Sequence, residues 1–232
     1  GNALCRLKTK PLVVLGRDTR TSSDMLSLAL EAGVCAGGGS VRDGGVLPTA
    51  AVAFFVRRIG ADFGVVVSAS HNPPEFNGLK VFDFRGCKLS EEDEEYTERF
   101  FDEYSFASAL RCGRRYPLSR RGAYADFLVS CCKRPLSGKK FVLDCANGAA
   151  GEIAPRVFAR LGAEVSVIGR SRSGRKVNVG CGALHPEQMR AAVAEQGADA
   201  GFCYDGDADR LIAADERGNL VDGDKILCIL AK

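Results

Sequence analysis

Two short stretches hold residues whose types and spacing can do chemistry together. In "VSASHNPP" (67–74) Ser70 abuts His71, the single serine–histidine step in the chain, and Lys80 follows a few residues later. In "YDGDADR" (204–210) Asp205, Asp207 and Asp209 occupy alternate positions of a tight loop, with Arg210 next. Three carboxylates so close repel one another unless a cation sits between them. Their oxygens suit a hard ion such as Mg²⁺, with room left for a phosphate oxygen or water. A hydroxyl beside such an ion can carry a phosphoryl group whose charge is neutralised by metal, Arg and Lys. No Walker A loop is present, so ATP is not the expected phosphoryl source.

Plainer readings compete. Ser70 alone would serve as a polar cap at a strand end. However, Asn72-Pro73-Pro74 imposes an extended bend that displays Ser70 and His71, and Gly78 permits a further sharp turn. The acidic loop could be a solvated turn, but Arg210 by itself does not neutralise three acids. From Asp205, with Glu216 at the twelfth position, the spacing imitates a calcium EF-hand. That reading fails because Arg210 stands where the sixth-position Gly is needed, and the flanks are strand-like. An aspartyl-phosphate phosphatase would also use closely spaced aspartates after a strand, and would leave Ser70 incidental. "DCANGAAG" (144–151) reads as a strand–turn–helix, more a structural turn than an anion cradle.

The elements that must position these loops alternate. Strands are expected at "PLVVLG" (11–16), "FGVVVSA", "KFVLDC", "AEVSVIG" and "AGFCY". Helices are expected over 22–36, "VLPTAAVAFFVRRIG", "GEIAPRVFARLG" and "HPEQMRAAVAEQG". This order predicts α/β units. A repeat links the halves: "IGADFGVVVSASHNP" from Ile59 and "QGADAGFCYDGDADR" from Gln196 both run helix end, Gly-Ala-Asp, apolar strand, polar loop. Superposing the Gly-Ala-Asp segments places Ser70 on Asp207. The fold class expected is therefore two similar α/β domains with mostly parallel mixed sheets sandwiched by helices. Ligands in such sheets bind beyond the carboxyl ends of the strands, where both polar loops fall. The expected division is domain 1 over 1–118, a linking helix within 119–135, and domain 2 over 136–232. An acidic helix over 90–104 opens with Ser90 as N-cap and carries a stripe of Tyr96, Phe100 and Tyr104. Little strand signal is seen over 105–138.

Composition sets outer limits. The 232 residues are 46% hydrophobic and 26% charged, ordinary for a globular protein. A net charge of +3 with scattered Lys and Arg gives no nucleic-acid footprint, and no apolar run is long enough for a membrane span. Ten irregularly spaced cysteines, with no CxxC, read as reduced thiols of a cytoplasmic protein. Cys145, Cys203 and Cys228 lie in apolar strand-like runs, where they would act as small hydrophobes. Two histidines and no ligand pair at the right spacing do not suit zinc.

"SASHNPPEFNGLKVF" resembles the phosphoserine loop, and "DGDADR" the metal loop, of the α-D-phosphohexomutases. "GRDTR", "PTAAVAF", "DCANGAAGEIAPRVFARLGAEV", "NVGCGALHPEQM" and "GNLVDGDKI" are similar to one branch, the bacterial phosphoglucosamine mutases. The resemblance implies that Ser70 is the phosphoserine and that its phosphate oxygen joins Asp205, Asp207 and Asp209 in holding one Mg²⁺. It implies that Arg210 orients phosphate, and that Lys80 acts in acid–base proton transfer with His71 assisting. The implied reaction interconverts glucosamine 6-phosphate and glucosamine 1-phosphate through a hexose 1,6-bisphosphate, which is both intermediate and activator. Phosphomannomutase or phosphoglucomutase activity is the alternative within the family. A catalytically inactive metal-binding or assembly module is the alternative outside it. Family members have four domains, and this sequence resembles the first two. The resemblance thus implies a missing opening strand with its basic loop, and partners in the C-terminal domains 3 and 4. The sugar would be read in domain 3 and the phosphate clamped in domain 4, so these residues alone are expected to show little turnover. The resemblance leaves a homodimer open.

Overall fold

The computed structural model describes residues 1–102 and 109–231. Tyr104, the last member of the expected aromatic stripe, lies outside the described residues.

Its contacts group the chain into two units. The first runs through α1 (Leu4–Leu7), β1 (Leu12–Arg17), α2 (Ser23–Ala36), β2 (Ser40–Val46), α3 (Thr49–Ile59), β3 (Phe63–Val67), β4 (Leu79–Phe82), α4 (Glu91–Asp102) and β5 (Arg115–Pro117). Its sheet has the order β4-β3-β1-β2-β5, with β4 antiparallel to β3 and the other pairings parallel. Val13, Val14 and Leu15 of β1 are all fully buried, as are Val65, Val66 and Val67 of β3. A strand covered on both faces has no solvent side to alternate with, which is why these segments read as unbroken apolar runs. Alternation still decides what each residue touches. Val13 and Leu15 share a core with Leu30 and Val34 of α2, while α3 packs on β1 and β3. Burying each such side chain is worth about 1.5–3 kcal/mol.

The second unit follows the same plan: α5 (Ala123–Cys131), β6 (Lys140–Asp144), α6 (Ala150–Arg160), β7 (Glu164–Ile168), α7 (Glu187–Gln196), β8 (Ala200–Tyr204), β9 (Leu211–Ala214), β10 (Leu220–Val221) and α8 (Gly223–Leu230). Its sheet has the order β10-β9-β8-β6-β7, with β6 parallel to β7 and β8, and β9 antiparallel to both β8 and β10. Val142 and Cys203 meet Met189 and Val193 of α7, and Phe141 and Leu143 meet Phe158 of α6. Strand for strand, β4-β3-β1-β2 corresponds to β9-β8-β6-β7, so the sequence repeat is a repeat of topology.

The Gly-Ala-Asp segments do the same work twice. Gly60 and Gly197 end α3 and α7 in the left-handed region, at φ 66 and 59, a conformation that costs glycine nothing. Each following aspartate then pairs with the start of its central strand. Asp62 Oδ2 accepts from Leu12 N–H at 2.8 Å, and Asp199 Oδ2 accepts from Lys140 N–H at 2.8 Å.

Two local expectations change, and β2 is a strand for which the sequence raised no expectation. β5 is a real strand in the segment that gave little strand signal, although it is short and exposed. β2 carries Asp43 and two glycines yet pairs along β1. Cys228 lies on helix α8 and is exposed, so it is not a core hydrophobe, whereas Cys145 and Cys203 are buried. All ten cysteines are free thiols. Among the described residues no helix is long and apolar enough to cross a membrane.

Candidate active site

The second unit also includes two excursions from the first half of the sequence, Thr19–Thr21 and Ala69–Asn77. The second excursion leaves β3 and carries Ser70. At their base, within the first unit, buried Asp18 takes hydrogen bonds from Ser68 Oγ at 2.7 Å and Ser23 Oγ at 2.8 Å. The Asp18 N–H in turn donates to the Val67 carbonyl at 3.1 Å.

Ser70 is buried, and its backbone sits in the left-handed region at φ 55. A residue with a Cβ adopts this conformation at a cost and keeps it only where the surroundings impose it. The Ser70 carbonyl accepts from Arg20 Nη2 and from Asn178 Nδ2, both at 2.8 Å. The Asn72 carbonyl accepts from the same two groups, at 2.9 and 3.0 Å. Arg20 Nη1 donates to the carbonyls of Pro73 at 2.5 Å and Phe76 at 2.9 Å. Beside this, Thr19 Oγ1 donates to the Asn147 carbonyl at 2.5 Å.

Held this way, Ser70 Oγ donates to Asp205 Oδ2 at 2.6 Å. Asp205 lies just past the end of β8, and its other oxygen accepts from the N–H groups of Asp209 and Arg210, both at 3.2 Å. Burial raises the Asp205 pKa above the usual carboxylate range. The Ser70 hydroxyl opposes that rise, and neighbouring Asp207 and Asp209 add to it. Ligand oxygens of Asp205, Asp207 and Asp209 all lie within 4.8 Å of one another. Asp205 and Asp207 are buried and Asp209 is exposed. Three hard oxygen donors, two of them out of water, form a set that fits a hard divalent cation and not a soft one. The loop turns at Ala208, φ 57. Gly206 lies against the serine loop: a Cβ there would stand 2.7 Å from the Ser70 carbonyl oxygen.

The remaining expected site residues are distributed unevenly. His71 is half-buried beside Ser70, and its Nδ1 is buried with no hydrogen-bond partner among the described residues. Arg210 is exposed. Lys80 belongs to the first unit, on β4, in register with Val66 of β3. Strand β9 begins at Leu211, which removes the EF-hand geometry outright. The "DCANGAAG" turn is structural, since its amides from 146 to 149 donate to Asp144 Oδ1 and to the carbonyls of Gly169, Cys145 and Gly206. Arg20, Asn178 and Gly206 are the residues that sequence reasoning passed over. "GRDTR" contained the one usable signal, an arginine three residues past the end of a buried strand.

The sequence profile described as phosphoglucomutase/phosphomannomutase, alpha/beta/alpha domain I, matches residues 1–108, and that of domain II matches residues 122–218. The chain belongs to the phosphoglucomutase/phosphomannomutase family. Within that family it is 48% identical to a phosphoglucosamine mutase of a Thermoanaerobacter species, across 96% of this chain and 51% of the relative. It is 47% identical to a phosphoglucosamine mutase of Pelotomaculum thermopropionicum, across 100% of this chain and 53% of the relative. The chain spans about half the length of the curated relatives it matches. A crystal structure of a phosphoglucomutase/phosphomannomutase family protein from Burkholderia thailandensis superposes with a TM-score of 0.86 at 29% identity, covering 99% of this chain and 52% of that one.

Proposed function

We propose that this chain is the phosphoserine-bearing and metal-bearing part of a phosphoglucosamine mutase, interconverting glucosamine 6-phosphate and glucosamine 1-phosphate through a 1,6-bisphosphate. One observation supports this reading above the others: the Ser70 hydroxyl, held at positive φ, rests 2.6 Å from a buried carboxylate of the three-aspartate cluster. A structural serine needs no such neighbour. A phosphorylated one would place further negative charge against three carboxylates, and only a cation reconciles the two.

In this reading Asp205, Asp207 and Asp209, with an oxygen of the Ser70 phosphate, hold one Mg²⁺. The ion, when bound, neutralises phosphoryl charge as the group departs. Ser70 carries the phosphoryl group. The P–O bond to its Oγ breaks as a new one forms at the free hydroxyl of the sugar phosphate, and that hydroxyl's proton, with Lys80 as its carrier, ends on the freed Ser70 Oγ. Transfer of the other phosphoryl group back to Ser70 reverses the proton movement. His71, with an unpartnered ring nitrogen, is available to donate to a phosphate oxygen, and Arg210 to orient it. Asp205 is a poor phosphoryl acceptor itself, since both of its oxygens are engaged by hydrogen bonds. Sugar reading and clamping of the distal phosphate are assigned to further domains of the kind the relatives' length allows, and the setting to the cytosol.

The test is to map phosphate by mass spectrometry on protein incubated with glucose 1,6-bisphosphate, and to measure turnover of glucosamine, glucose and mannose 6-phosphates. Phosphate on Ser70, lost in Ser70→Ala, with glucosamine 6-phosphate preferred by the chain extended to the relatives' length, bears the proposal out. Phosphate that survives Ser70→Ala, or near-normal turnover by the 232 residues alone, overturns it.

A further inference from the structure

We propose that Arg20 and Asn178 are positioning residues for the reactive serine, acting through its main-chain carbonyl and not through phosphate. This rests on the proposed meeting of Ser70 with the carboxylate cluster, but not on which sugar is turned over. Arg20 is only 2% exposed. A guanidinium taken out of water must have its N–H groups satisfied, and here four carbonyls of one short loop, those of Ser70, Asn72, Pro73 and Phe76, accept from it. These acceptors run from the reactive residue itself to the far side of the Pro73-Pro74 bend. The arginine therefore braces the loop along most of its length.

Asn178 duplicates the grip on the two carbonyls nearest the chemistry, those of Ser70 and Asn72. Its own backbone is also left-handed, at φ 60, a conformation asparagine tolerates better than most residues. Carbonyl and Cβ directions at Ser70 are tied through the same Cα. Fixing the carbonyl with the backbone at φ 55 therefore fixes where Cβ stands and limits Oγ to its staggered rotamers, of which the one adopted points at Asp205. A lysine cannot replace this arrangement, because a single ammonium lacks the planar fork that reaches several carbonyls at once.

The test is a double-mutant cycle read by Mn²⁺ binding, since Mn²⁺ takes the same oxygen ligands as Mg²⁺. The free ion is followed by its EPR signal in the 232-residue wild type, Arg20→Met, Ser70→Ala and the double variant. Arg20→Met is expected to weaken Mn²⁺ binding about fivefold when Ser70 is present, and less than about twofold in the Ser70→Ala background. Equal losses in the two backgrounds, or no loss with Ser70 present, overturn the proposal. Arg20→Lys is expected to recover less than half of the loss; full recovery would show that charge alone acts, and also overturns it. If Arg20→Met does not fold, Asn178→Gly, which keeps the φ 60 backbone accessible but removes the amide donor, is put through the same cycle with the same criteria. A chain that shows the coupling yet turns over no sugar phosphate at full length refutes the proposed function and leaves the positioning role standing.

Discussion

Gly206→Ala is the sharpest perturbation of the site that leaves every reactive group in place. The added methyl would stand 2.7 Å from the Ser70 carbonyl oxygen, 3.0 Å from Val177 Cγ1 and 3.3 Å from Asn178 Nδ2. The first of these neighbours is backbone, pinned by Arg20 and Asn178, so no side-chain rotation relieves the clash. Ordinary contact begins near 3.4 Å, so the serine loop and the aspartate loop must part by several tenths of an ångström. The Ser70–Asp205 bond, at 2.6 Å, has only about that much slack before it leaves the O–H···O range. Overpacking of this kind costs about 1–3 kcal/mol. A lower urea midpoint at unchanged slope, with weaker Mn²⁺ binding and less phosphate on Ser70, is the expected result. Gly223→Ala is the control, since nothing lies within 4 Å of its added Cβ, and it should behave as wild type. If Gly206→Ala unfolds at the wild-type midpoint and binds Mn²⁺ within about twofold of wild type, the close approach of the two loops is not what the site depends on.

Ser68→Ala removes one donor from buried Asp18 and should cost about 1–3 kcal/mol in denaturant unfolding, because a buried acceptor loses a hydrogen bond. Asp199 is held below the usual carboxylate range by the Lys139 side chain and the Lys140 N–H. A depressed carboxylate stabilises above its unfolded pKa, so the gap between wild type and Asp199→Ala should be full above about pH 5 and close as pH falls below about 4, in a pH series of thermal unfolding. Burial pushes the Cys145 thiol up to about 12 and the Cys181 thiol to about 11, and raises Cys203 as well. Iodoacetamide at neutral pH should therefore modify exposed Cys87, Cys112, Cys131, Cys132 and Cys228 while sparing those three, as read by peptide mapping.

What the sequence made legible follows from what each position must do. β1, β3 and β6 announced themselves because strands buried on both faces tolerate little but Val, Leu and Ile. β2 did not, since an aspartate and two glycines in "SVRDGGV" carry little strand preference, and the pairing of Asp43 with Arg17 and Arg115 is tertiary. Its place beside β1 is settled by tertiary pairing over local preference. The aspartate cluster was readable because alternate carboxylates in one loop are improbable without a purpose. Arg20 was not, because its partners are main-chain carbonyls some fifty residues away, and carbonyls carry no signature in residue type. The left-handed backbone of Ser70 was hidden for the same reason.

The serine loop is encoded between two strands of the first unit but takes its contacts in the second. Any chimera joined between residues 109 and 122 would draw Ser70 and Arg20 from one parent, and Asn178, Asp205 and Gly206 from the other. Such halves are interchangeable only where both parents keep the same loop-to-loop spacing. A substitution that enlarges position 206 in one lineage therefore has to be matched by a change near position 70. In this chain the two halves of the sequence are therefore constrained together at these few positions, whatever changes on their surfaces.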